Sequence, residues 1–257
     1  MAARGALPLE PIELATVLFV LANDPEASVK ETARLSLENL TVHVLSTVLS
    51  GPTHPALLSF MARVHQENET RCEALALNNS TDDQTIAWLA TLPHSRVVDI
   101  ISQNQERMMR TEDIVDALGA NPLTGRAVIE RILTFLGLEE RDVAEDTEEL
   151  GEAEAEAAVL ELLGEDMADV AKLLVQDRES DEEDEDVKIS LYAAVQNMTV
   201  MQKVKLTRMG GKDARAMLIK DRNRIVSASV LGSPKLTETE VIGFAQNRSI
   251  GEELLRI

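Results

Sequence analysis

Few residues in this chain have the type and spacing that chemistry needs. The one cysteine, Cys72, and the four histidines, His43, His54, His65 and His94, fall on separate segments. A thiol or hydroxyl nucleophile needs a base beside it, and a zinc cage needs several Cys or His ligands. No G-x-S-x-G, H-E-x-x-H or Cys-x-x-Cys occurs, so the local signatures of acyl transfer and metal hydrolysis are missing. Gly210-Gly211-Lys212 lacks the rest of a phosphate-binding loop and reads as a turn between helices. Cys72, with Ala74 and Leu75 on a short helix, reads as a small core residue. His43, between Val42 and Val44, reads as a partly buried structural histidine. A lone cysteine also excludes an internal disulfide. The carboxylates of 139–186 lack the glycine and spaced Asp/Asn ligands of a calcium loop. These residues predict a chain with no catalytic, cofactor-binding or metal-ligating residues, and so a protein that is not an enzyme.

Binding chemistry is better represented. Lys203, Lys205, Arg208, Lys212, Arg215, Lys220, Arg222 and Arg224 fall within 22 residues. Spacings of 3, 4 and 3 would line Lys205, Arg208, Lys212 and Arg215 on one face of a continuous helix, which Gly210-Gly211 interrupts. Such a series serves as a solvated helix face, as a dock for an acidic partner (this chain's own 177–186 run included), or as a nucleic-acid contact. The net charge of −20 opposes phosphate binding, and Tyr192 and Phe244 are the only aromatic side chains near enough to stack on bases. Trp88, in Ile86-Ala87-Trp88-Leu89, suits either core packing or a partner hot spot.

The charge is unevenly placed. Residues 1–138 hold 17 acids and 10 bases, 139–186 hold 22 and 3, and 195–257 hold 6 and 11. Six consecutive acids run from Asp181 to Asp186, a block that repels itself and stays solvated. Residues 177–186 are therefore expected to form a disordered linker, and 139–150 a second loose segment. Between them, Ala155, Val159, Leu162, Leu163, Val170, Leu173 and Leu174 share a helical period over 152–176, weakened at Gly164. This amphipathic helix is expected either to pack on one of its neighbours or to bind a partner from acidic tethers.

The elements that must position these residues read as short helices. Apolar residues make up 44% of the chain and aromatic ones 2%, enough for a core but poor in strand formers. The pattern S/T-x-x-E/Q, which satisfies two free helix N–H groups at once, occurs at Ser28, Thr81, Thr199, Thr237 and Ser249. Thr53, Thr111 and Thr124 make further expected starts. Six N-x-S/T sites, at Asn39, Asn68, Asn78, Asn79, Asn197 and Asn247, read as helix junctions rather than glycosylation sites. About nine helices are expected before residue 138 and about six after 187. The apolar stretch 14–22 is too short for a membrane span of about 20 residues and follows Glu10 and Glu13 rather than a basic segment, so the expected location is the cytoplasm.

A small turn, a threonine and an apolar pair four residues later recur at Thr53 with Leu57-Leu58, Thr124 with Val128-Ile129, and Thr237 with Val241-Ile242. Thr81 with Ile86 and Thr111 with Ile114-Val115 are looser copies, at irregular spacing. Leu21-Ala22-Asn23-Asp24-Pro25, followed by Val29-Lys30 and Ala33, resembles the first helix of a HEAT-like repeat. The stretch 218–226, then Ala228, Val230-Leu231 and 233–238, resembles the bacterial leucine-rich repeat variant, a solenoid of short helices. Residues 198–257 also resemble a module of uncharacterised deltaproteobacterial proteins. The variant family can carry an N-terminal cysteine cluster for iron–sulfur. This chain has none, so no cofactor carries over. The resemblance implies an all-α, short-helix solenoid in two modules, 1–138 and 187–257, joined by the acidic linker 139–186. It implies an interaction surface for a protein partner: a scaffold or adaptor, with bacterial signalling or cell organisation as a conceivable setting and nucleic-acid binding by the basic module as the alternative.

Overall fold

A computed structural model describes residues 2–5, 8–136, 151–164, 167–176, 185–247 and 250. Every regular element among them is helical: a 3-10 turn over Ala2–Arg4 and seventeen α-helices. The chain divides into two compact units, 1–123 and 124–257. The first holds α1 (Pro11–Leu21), α2 (Ala27–Glu38), α3 (Val42–Ser50), α4 (Pro55–Val64), α5 (Glu69–Leu77), α6 (Asp83–Leu89), α7 (Ser95–Ser102), α8 (Gln105–Arg110) and α9 (Glu112–Ala120). The second holds α10 (Arg126–Phe135), α11 (Glu152–Leu163), α12 (Ala168–Val175), α13 (Glu185–Gln196), α14 (Val200–Met209), α15 (Lys212–Leu218), α16 (Arg224–Leu231) and α17 (Glu238–Gln246). No described helix is long and apolar enough to cross a membrane.

The helices run from six to twelve residues. Helices this short are not stable alone, because propagation does not offset nucleation. Each also leaves up to four N–H and four C=O groups without intrahelical partners. Packing and end-capping therefore decide the fold. In the first unit α1 packs on α3, α3 on α5, and α5 on α7, while α1 also meets α4, α4 meets α6, and α6 meets α9. Leu18, Leu57, Leu58, Met61, Leu75, Ile86, Leu89 and Leu118 fill the space between, all fully buried.

Two asparagines close the ends of these helices in the same way. Asn78, at the C-terminus of α5, donates its side-chain amide to the carbonyls of Leu49 and Gly51 at 2.7 and 2.9 Å. Its Oδ1 accepts from Ser80 N at 2.8 Å. Asn121, at the C-terminus of α9, donates to Ala90 O and Leu92 O at 2.7 and 2.8 Å and accepts from Leu123 N at 2.9 Å. Both side chains are buried. Each ties its own helix end to carbonyls at the end of an earlier helix. Asn39, Asn68 and Asn247 also sit at helix ends, so these sequons do mark junctions.

Two threonine starts have complete capping boxes, Thr199 with Gln202 and Thr237 with Glu240. Thr111 is the N-cap of α9 without a side-chain cap bond. The others differ from expectation. Thr53 Oγ1 donates backward to Val48 O at 2.7 Å, and Thr81 Oγ1 to Leu75 O at 2.8 Å. Their hydroxyls serve the helix just ended, and the next helix is capped by His54 or Asp82. Gly125 rather than Thr124 stands at the N-cap of α10, and Glu26 precedes α2 in place of Ser28. Ser249 lies outside the described residues. The apolar pairs after Thr53 and Thr124 are buried, but Val241 and Ile242 after Thr237 are about half exposed, at 45% and 52%.

In the second unit α14 packs on α11, α15 and α16, and α10 packs on α16. The single amphipathic helix expected over 152–176 is instead two, α11 and α12. Gly164 between them has φ +92°, a conformation other residues rarely adopt. α11 lies on α12 and α14, and α12 on α13 and α15, which buries Ala155, Val159, Val170 and Leu174 within the unit. Gly211 N donates to Leu174 O at 2.7 Å. A Cβ on Gly211 would come within 2.5 Å of Gln176 O, so the contact between α12 and α15 requires glycine for space. Residues 139–150, and 177–184 of the expected disordered linker, lie outside the described residues; Glu185 and Asp186 open α13.

Asn121→Ala would take the side-chain donor from the buried carbonyl of Ala90, while Leu92 O keeps its bond from His94 N. The expected loss is about 1–3 kcal/mol, for one stranded group, read by urea denaturation of the full chain. A loss within experimental scatter would contradict the role given to this amide.

Candidate functional site

The basic series does not form one surface. Lys203 is buried, with Nζ 2.8 Å from Asp221 Oδ2. Arg215 is 1% exposed and donates Nε and Nη2 to the Glu240 carboxylate at 2.9 and 3.1 Å, and Nη1 to Gly210 O at 2.9 Å. Burial alone would raise the Glu240 carboxyl, but Arg215 and the Thr237 backbone and hydroxyl hold it below the usual carboxylate range. Arg224 is half-buried and donates Nη1 to Thr124 O at 2.9 Å. Lys205, Arg208, Lys212, Lys220 and Arg222 are exposed. The face expected from Lys205 to Arg215 is broken because α14 ends at Met209 and α15 starts afresh after Gly211. Arg215 then turns inward onto the capping box of α17.

The histidines and Cys72 stay apart. His43 is exposed, not partly buried as expected, because α3 turns Leu45, Val48 and Leu49 inward instead. His54 Nδ1 caps α4 by accepting from Ala56 N at 3.2 Å. His94 Nε2 lies 2.6 Å from Gln66 O. Cys72 is buried, its thiol 3.6 Å from His65 O, and burial, with Glu67 and Glu69 nearby, pushes its pKa up to about 11. That thiol stays protonated and weakly reactive. His65 is 6% exposed. Its Nδ1 lies 2.9 Å from Arg71 Nη1. Arginine has only donors, so Nδ1 accepts and the proton sits on Nε2, a buried atom with no hydrogen-bond partner. Burial first and the Arg71 charge second hold the His65 pKa below its ordinary value.

The surface with recognition geometry is in the first unit. An open cleft of about 420 Å³ lies across α4, α6 and α9, lined by Ser59, Arg63, Gln84, Trp88, Thr91 and Asp113 among others. Trp88 is neither core nor free: it is half-buried, and Arg63 Cζ stands 3.8 Å from its ring centroid. This cation–π contact sets a guanidinium against the indole in the cleft. Asp82 and Asp113 also line it. Asp82 accepts from Thr85 N and Oγ1, both at 2.8 Å, and Asp113 Oδ2 accepts from Gln84 Nε2 at 3.1 Å. A second open cleft of about 470 Å³, beside α1 to α3, is lined by apolar Leu14, Leu35 and Val44 together with polar Thr32 and Ser36, and by Arg4.

Sequence reasoning picked out Trp88 but missed Arg63 and Asp113, which lie on other helices, and Asp82, the N-cap of the helix that carries Trp88. It also missed the supporting turns. Asn78 and Asn121 are 43 residues apart, as are Thr81 and Thr124, and each turn is read by an arginine from a later helix. Arg107 donates to Thr81 O at 2.6 Å and Arg224 to Thr124 O. That paired spacing was the available signal.

His65 makes stability depend on pH. Its folded pKa lies below the ordinary value of about 6.5, so the unfolded chain takes up a proton first as pH falls. The contribution is full above pH of about 6.5 and is lost as pH drops through the lowered folded value. Asp83, through its hydrogen bond to Arg110, and Glu240 titrate below the usual carboxylate range, so their losses come at lower pH. Urea midpoints measured between about pH 7 and 5 should fall in the wild type and flatten in His65→Phe. An equal slope in both proteins would remove His65 as the cause.

Compared with protein-family descriptions, curated proteins and solved structures, the chain finds no match.

Proposed function

We propose that this chain is a non-enzymatic protein–protein interaction scaffold or adaptor, a HEAT-like α-solenoid of the bacterial cytoplasm that binds a protein partner. The observation that carries the reading is the cleft across α4, α6 and α9, where Trp88 is half-buried beside Arg63. A rigid aromatic side chain in a groove between packed helices is the usual anchor of a protein interface. Two further features support a repeat architecture. Alternate helices pack in succession from α1 to α7. The Asn-x-x-Thr turn recurs after 43 residues, within the span of about 40–47 residues of HEAT and armadillo units. The sequence resemblance to HEAT-like repeats and to the leucine-rich repeat variant points the same way. Nucleic-acid binding by the basic module has less support, since Lys203 and Arg215 are engaged in buried ion pairs and Arg224 on Thr124 O.

The test is recovery of bound protein on the tagged chain of 257 residues, expressed in the cells that make it. Trp88→Ala should reduce recovery at least tenfold, as removal of a hot-spot residue costing about 2 kcal/mol does. The pair Lys205→Glu and Arg222→Glu should leave it unchanged. The reverse pattern would move the interface to the second unit. Recovery of nucleic acid that falls steeply with salt would replace the scaffold reading with the nucleic-acid one.

A further inference from the structure

The Trp88 cleft has a charge pattern that selects its occupant. Building on the scaffold reading, on which it rests, we propose that the cleft binds an extended segment of a protein partner that presents a lysine or arginine side chain to the Trp88 ring. The ring already carries a guanidinium, that of Arg63 at 3.8 Å from its centroid, so its negative quadrupole accepts a cation in this setting. Two carboxylates, Asp82 and Asp113, line the same cleft against one cation. Each has accepted bonds from Thr85 or Gln84, but a carboxylate offers about four lone-pair sites, so capacity remains for an incoming ammonium or guanidinium.

The surroundings agree with the local count. Residues 1–123 carry 16 acids and 8 bases, and a field of that sign raises the encounter rate of a basic segment. An acidic segment would meet Asp82 and Asp113 inside the cleft and the same field outside it. An apolar segment would meet Arg63, Gln84, Thr91 and both carboxylates, and would strand their polar groups. Arg63 is then a placeholder. It covers the ring while the cleft is empty, and the partner's cation competes with it. Removing Arg63 therefore strengthens binding, the opposite of what a direct contact to the partner would do.

Trp88 is the only tryptophan in the chain, so its fluorescence reports on this cleft alone. The whole chain of 257 residues is titrated with three synthetic hexapeptides, in which glycine alternates with arginine, glutamate or leucine. The arginine peptide should shift Trp88 emission saturably, and more weakly at high salt. Arg63→Ala should tighten its binding about threefold or more. Asp113→Asn, which keeps an acceptor for Gln84, should weaken it. Unchanged circular dichroism confirms that both exposed-site variants fold. Stronger binding of the glutamate or leucine peptide overturns the proposal, as does weaker binding of the arginine peptide by Arg63→Ala. If no peptide shifts the emission of either protein, the cation assignment falls. Recovery of a partner by the wild type but not by Trp88→Ala would then still uphold the scaffold reading.

Discussion

The first unit depends on how a chain of short helices disposes of its carbonyls. A helix of nine residues leaves more orphan groups at its ends than it makes hydrogen bonds within, and in a packed array some of those ends are buried. Asn78 and Asn121 solve this with one side chain each. Each amide satisfies two carbonyls of an earlier helix end while its own oxygen shapes the next turn. The carbonyls of Leu49 and Ala90 are buried and depend on these amides, while Gly51 O and Leu92 O also accept from Thr53 N and His94 N. Thr53 and Thr81 take up further carbonyls, and Arg107 collects those of Asn78, Asn79 and Thr81. The helices can then stay short, and α4, α6 and α9 can present a continuous face.

The second unit solves the same problem with charge. Arg215 and Glu240 are almost completely buried, and the carboxylate is at once the ion-pair partner and the closing residue of the α17 capping box. Such a pair gains little over an apolar replacement, but losing one member leaves the other uncompensated, at a cost of about 3–5 kcal/mol. The excess of bases in 195–257 is therefore partly internal: Lys203 and Arg215 answer Asp221 and Glu240 inside the unit, while Lys205, Arg208, Lys212, Lys220 and Arg222 are exposed. Gly211 has a different role, letting the end of α12 approach where no side chain fits.

The all-helical class was legible from the scarcity of aromatic residues and the spacing of apolar ones. The sequons marked helix junctions for the same reason that asparagine favours caps, and the boxes at Thr199 and Thr237 were read correctly. Thr53 and Thr81 were misread, because a hydroxyl between two helices can serve the end of one or the start of the next, and local sequence does not say which. The helix over 152–176 was read as one because period alone does not register a positive φ at Gly164. The basic series was read as a face because spacing within a helix says nothing of a break at Gly210-Gly211 or of a carboxylate 25 residues on. Arg63 and Trp88 meet only through the packing of α4 on α6, so their pairing had no signature in sequence.

Recognition on the face of α4, α6 and α9 is tested most directly by hydrogen–deuterium exchange of the full chain, alone and saturated with the protein it retains. Added protection is expected in peptides covering residues 59–63, 82–91 and 112–117, with 200–224 unchanged. Protection confined to 200–224, with the Trp88 peptides exchanging as in the free chain, would contradict recognition at that face.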